Sequence, residues 1–104
     1  METRYQIIYW RDIPAQVRLG GRKDRLSWPL SERFQAAIDA AAMVAGKSDT
    51  DAYLEEWRTG EWLEADGAPE AVATEVATQL EESYSNQRLA MLVKQNGWAE
   101  DHAS

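Results

Sequence analysis

Few residues in this chain could do chemistry, and their spacing suits chemistry poorly. There is no cysteine, and the single histidine is His102. The absence of cysteine removes thiolate nucleophiles, disulfides and thiolate metal sites. A lone histidine offers neither a paired metal ligand nor a histidine relay, so no catalysis is expected from it. Asp49 and Asp51 alternate as calcium ligands do, but no EF-hand loop follows them, and capping a helix suits them better. Glu55 and Glu56 are adjacent, so on a strand they would point to opposite sides and could not flank one substrate. No catalytic residue, metal or cofactor is therefore expected.

What remains is binding. Trp10, Trp28, Trp57, Trp62 and Trp98 are five indoles in 104 residues, a large stock of apolar surface with a polar handle. Trp and Arg are frequent anchors of protein interfaces. Trp10-Arg11-Asp12 sets an aromatic, a cation and a carboxylate at a strand end. It either anchors a partner, or Trp10 enters the core while Arg11 and Asp12 meet in a turn. Trp57 and Trp62 flank a turn at Thr59-Gly60 and lie among Glu55, Glu56, Glu61 and Glu64. There, Trp57 suits packing and Trp62 suits an interface. Arg18, Arg22, Lys23 and Arg25 surround Gly20-Gly21, and glycines beside arginines let a backbone approach an anion closely. The Gly-Lys-Ser/Thr ending of a P-loop is missing, so this run reads as a solvated hairpin tip or a contact for an acidic partner. Candidate partner-binding residues are Trp10, Arg11, Asp12, Arg18, Arg22, Arg25, Trp57 and Trp62.

The elements that must position them follow from periodicity. Arg4 to Trp10 is dense in aromatic and β-branched residues, with Tyr5, Ile7 and Tyr9 facing one way and Gln6, Ile8 and Trp10 the other. Both faces are largely apolar, so this strand is central. Asp12 and Pro14 turn the chain, and Ala15 to Leu19 alternates as a second, antiparallel strand. Residues 22–28 read as an exposed loop or an irregular edge. Ser31 caps a helix whose apolar stripe is Phe34, Ala37, Ile38, Ala41, Ala42 and Ala45. Tyr53–Thr59 and Glu61–Glu64 read as a hairpin, with a short helix capped at Thr50 as the alternative. Pro69 opens a second main helix carrying Val72, Ala73, Val76, Ala77, Leu80 and Tyr84. Ser85 then starts a third short helix, or the two form one bent helix.

The expected fold is α+β: a small antiparallel sheet with two main helices packed on one face, ordered β-β-α-β-β-α with an optional short C-terminal helix. One domain spans 1–97, with 98–104 as a loose tail. The hydrophobic fraction of 44% and charged fraction of 28% are ordinary for a globular protein. No secretory signal or membrane-length apolar run is visible, so the expected location is the cytoplasm. The net charge of −7 is uneven, at +1 over residues 1–52 and −8 over residues 53–104. An acidic second half argues against a dedicated nucleic-acid binder, whose footprint is basic.

Three segments carry a family resemblance: Tyr-Trp-Arg-Asp-Ile-Pro-Ala-Gln-Val at 9–17, Leu-Ser-Glu-Arg-Phe-Gln-Ala-Ala-Ile-Asp-Ala-Ala-Ala-Met at 30–43, and Thr-Asp-Ala-Tyr-Leu-Glu-Glu-Trp at 50–57. Together they resemble the small bacterial "virulence factor" domain, also attached to helical repeats in a staphylococcal conserved virulence factor. The likeness spans about residues 4–93. Stand-alone members are often encoded near corrinoid- and folate-dependent methyl-transfer proteins, so the resemblance implies an accessory role in one-carbon metabolism and names no catalytic residue. The expected function is a non-enzymatic interaction subunit or adaptor, partnered by another protein or a second copy of itself. The alternatives are a small-molecule binder or enzyme built on Tyr9, Arg11 and Trp57, and a nucleic-acid binder using Arg18 to Arg25.

Overall fold

The computed structural model describes residues 2–20 and 26–99. It is an α+β fold in which an antiparallel sheet packs against helices. The first strand, β1 (Glu2–Trp10), is central: β2 (Ile13–Gly20) runs antiparallel on one side, and two later strands pair on the other. Its two-sided apolar pattern is the reason, since neither face of β1 can be left to water. Arg11 and Asp12 make the turn into β2, with Arg11 at φ 53°. A bulge between Ile8 and Tyr9 shifts the register there.

Residues 22–28 were expected as a loop or an irregular edge. Leu26–Pro29 instead forms an edge strand, β3, paired with β2; residues 21–25 lie outside the described residues. Pro29 ends it, since proline cannot donate to a ladder and tolerates an edge. Helix α1 (Glu32–Val44) follows, with Ser31 at its N-cap as expected. The Ser31 hydroxyl does not cap the helix, however. It donates to Glu81 Oε1 at 2.9 Å, tying α1 to a later helix.

The expected hairpin over 53–64 is corrected. Thr50–Glu55 is a short helix, α2, the alternative that Thr50 allowed. Strands β4 (Trp57–Thr59) and β5 (Leu63–Asp66) do not pair with each other. Both pair antiparallel with β1, end to end along its free side. The edge of β1 offers a full row of hydrogen-bonding groups, and one nearly continuous path satisfies them better than a three-residue hairpin could. Residues 60–62 stand against only Gln6 and Ile7 of β1, so the path carries one extra residue. Such a bulge re-aims the next side chain, and here that residue is Trp62.

Helix α3 (Pro69–Ser83) opens on Pro69, and α4 (Asn86–Lys94) opens on Ser85, whose hydroxyl accepts from the Arg88 backbone N–H at 3.1 Å. The chain thus contains two helices here and not one bent one. The apolar row of β2 is shared between helices. Ile13 and Ala15 pack into a cluster with Trp10, Phe34, Ile38, Ala41, Leu89 and Leu92 from α1 and α4. Val17 and Leu19 pack with Val72, Ala73 and Val76 of α3. The alanines of α1 bring that helix close to its neighbours, which is what a small-residue stripe permits.

Residues 98 and 99 are not loose. The Ala99 N–H donates to Asp12 Oδ2 at 2.8 Å, and the Trp98 ring lies against the Arg11 guanidinium. Residues 100–104, including His102, lie outside the described residues.

Candidate functional site

Alternation along β1 and β2 puts Arg4, Gln6, Ile8, Gln16 and Arg18 on the face opposite Tyr5, Ile7, Val17 and Leu19. On that opposite face a groove of about 650 Å³ opens, lined by Ile8, Gln16, Arg18, Trp57, Arg58 and Thr59. Every one of these lining residues belongs to a strand. Ile8 is its floor, 6% exposed, flanked by its cross-strand partners Gln16 and Thr59.

The cations around the groove differ in their commitments. Arg58 is engaged on one side: Nε donates to the Arg11 carbonyl at 2.7 Å, Nη2 donates to Asp12 Oδ1 at 2.8 Å, and the guanidinium lies 4.5 Å over the Tyr9 ring. Among the described residues, Arg18 donates to Gln6 Oε1 alone, at 3.3 Å. The Gln6 side chain is itself fixed, because its Nε2 donates to the Gly60 carbonyl at 3.0 Å. Among the described residues, no carboxylate balances Arg18. At the far end, Trp57 stands edge-to-face with Tyr53 at 5.8 Å. Further along the same face, Arg4 lies 5.3 Å over the Trp62 ring, which is 39% exposed.

Of the two readings of Trp10-Arg11-Asp12, the turn with Trp10 in the core holds and the partner anchor does not, although Arg11 and Asp12 pair with other residues and not with each other. Trp10 is fully buried; its Nε1 donates to the Tyr53 carbonyl at 2.9 Å, and its ring stacks on Tyr53. Arg11 is buried too. Its Nη1 donates to the Asn96 carbonyl at 2.7 Å, Nη2 pairs with Glu56 at 3.0 Å, and the guanidinium lies between the Trp10 and Trp98 rings. A cation without water is held by hydrogen bonds, a carboxylate and aromatic faces. Asp12 receives Arg58 and the Ala99 N–H. The three residues build the turn that joins the sheet to the C-terminal segment. Trp57 and Trp62 do not stack on each other, because β4 and β5 are in line and not opposed. Of the trio Tyr9, Arg11 and Trp57, only Trp57 lines the groove. Arg22 and Arg25 lie outside the described residues.

A second surface was not legible in the sequence. Asp39, Ala42, Met43, Ser48, Thr50, Tyr53 and Leu54 line a hollow of about 360 Å³ between α1 and α2. Met43 is 72% exposed and Leu54 58%, with Val44 nearby at 56%. Met43 and Val44 fall off the α1 apolar stripe. That displacement was the signal, since an apolar residue off the buried face needs another use.

Fold and surfaces together define a small α+β domain with an arginine- and tryptophan-lined groove on one sheet face and an apolar hollow between two helices. The model of the virulence factor family matches residues 8–93, and the chain belongs to that family. No curated protein and no solved structure matches it significantly. Among the described residues, no helix is long and apolar enough to cross a membrane.

Proposed function

We propose that this chain is a non-enzymatic interaction subunit that docks another protein through the α1–α2 hollow. The observation that carries this reading is the exposure of Met43 and Leu54 around one concavity. Exposed apolar side chains gathered at a hollow mark a surface that another molecule covers. Methionine suits such a surface because its flexible thioether adapts to the shape it meets. Asp39 on the rim gives the docked partner a polar contact and a register. The methyl-transfer setting implied by the family resemblance names the first partners to try, folate- and corrinoid-dependent methyl-transfer proteins.

Light scattering on the eluting protein, alone and with each partner, tests the reading. The expected result is a larger species with one of them, lost in Leu54→Arg and Met43→Arg while both variants stay folded. A second copy as partner would show as a dimer that the same variants dissociate. A strictly monomeric protein that associates with none of them overturns the reading.

A further inference from the structure

The groove on the sheet face shares no lining residue with the α1–α2 hollow, and docking at the hollow leaves it unexplained. Its contents point to a ligand. Arg18 is a guanidinium whose only described contact is one long hydrogen bond to a neutral amide. A guanidinium presents several donors in a planar fork that matches a carboxylate, and most of that fork remains for an incoming acceptor. Gln6 accepts from Arg18 on one side and is anchored to Gly60 on the other, so it holds the cation in place. The Gln16 amide and Thr59 hydroxyl add neutral hydrogen-bonding groups on either side of Ile8. Ile8 and Trp57 supply an apolar floor and an aromatic wall. A volume of about 650 Å³ is that of an ordinary small-molecule site.

We infer that this groove binds a small monocarboxylate carrying a flat apolar body, its carboxylate on Arg18 and its body between Ile8 and Trp57. The charge balance favours one negative charge over two. Arg58 also lines the groove, but its charge is already balanced by Asp12, so Arg18 is the cation whose charge the ligand meets, and a phosphate dianion would be left half neutralised on a chain of net charge −7. Trp57 contributes a large face that a ring covers well. Gln6 is a positioning residue, acting through Arg18.

The test uses N-benzoylglycine as probe, its neutral amide as control, and phenyl phosphate as competitor, read by backbone amide shifts in the full chain. The expected result is saturable shifts at Ile8, Gln16 and Thr59, with the amide about 10-fold weaker, the worth of one charge-assisted contact. Arg18→Gln loses the same 10-fold, Arg18→Lys keeps part of it, and Trp57→Leu weakens acid and amide alike. Should Arg18→Gln fail to fold, Gln16→Glu carries the test, lowering affinity for the acid and sparing the amide. Equal binding of acid and amide, no saturable shift at millimolar probe, or tighter binding of phenyl phosphate each overturns the inference. None of these outcomes depends on partner docking at the hollow.

Discussion

Trp62 lies across Gly20, with its ring standing 2.8 Å from where a Cβ on that glycine would be. The contact closes one end of the sheet face, since Gly20 pairs with Arg4 and the Arg4 guanidinium lies 5.3 Å over the same ring. A glycine inside a strand often marks such a close approach.

Gly20→Ala therefore pushes the Trp62 ring outward and breaks its contact with Arg4. The expected outcome is red-shifted tryptophan emission with a stability change of about 1 kcal/mol or less, because the displaced ring is already partly exposed. A Trp62→Phe background assigns the shift to Trp62; emission identical to that of the parent protein would contradict the placement.

Arg11 and Glu56 form the most buried ion pair among the described residues, with side chains 8% and 23% exposed. Glu56→Ala leaves a guanidinium in the interior with its charge unbalanced, and breaking a buried pair this way costs about 3 kcal/mol. The partial exposure of Glu56 places the expected loss at or below that figure. Urea unfolding measures it, and a midpoint unchanged from the parent would show that water already balances Arg11.

The Glu81 carboxyl ties the last turns of α3 to the start of α1. It accepts from the Ser31 N–H at 2.8 Å, the Ser31 hydroxyl and Arg33 Nε, while Arg33 also donates to the Tyr84 carbonyl. Burial is the largest single influence and pushes its pKa up, but these donors together outweigh it and hold the carboxyl below the ordinary 4.5. A lowered folded value means the native state favours the carboxylate, so the contribution is complete above 4.5 and disappears as pH falls through the folded value. Glu81→Gln should thus cost stability at neutral pH and little at about pH 3. The urea midpoints of both proteins at the two pH values decide it; a gap that persists or widens in acid has the wrong sign.

Trp98 covers the open side of Arg11, and Gly97 lets it do so. A Cβ at Gly97 would stand 3.0 Å from the Trp10 ring, and its φ of 91° disfavours any side chain. Trp98→Ala removes a cation–π contact of about 1–2 kcal/mol from a largely desolvated guanidinium. Thermal unfolding should show the loss, and a melting point within error of the parent would return the residue to the loose tail expected from sequence.

Much of the fold was legible because it is local. The two-sided apolar pattern of Arg4 to Trp10 fixed a central strand, Ser31 and Ser85 marked helix starts, and the stripes of α1 and α3 told which residues enter the core. Those signals depend on spacing along one element, which the chain carries within itself. The segment 53–64 was misread for the opposite reason. Its β pairing is decided by a strand some fifty residues earlier, and nothing in Trp57 to Glu64 says whether its partner is its own other half or β1.

The candidate sites divide the same way. Residue types alone marked a tryptophan-rich, cysteine-free domain and set Arg18, Trp57 and Trp62 among the residues to watch, while three segments of sequence carried the family resemblance. Which of them face water was settled by the tertiary structure. Trp10 and Arg11 allowed two readings, an anchor or a turn with Trp10 in the core, because an exposed and a buried cation look alike in sequence; only the approach of Tyr53, Glu56 and Trp98 removes their water. The groove gathers side chains of β1, β2 and β4, and which of them share a face is set by the register of those strands. Register is a property of two strands together, so no single stretch of sequence can hold it.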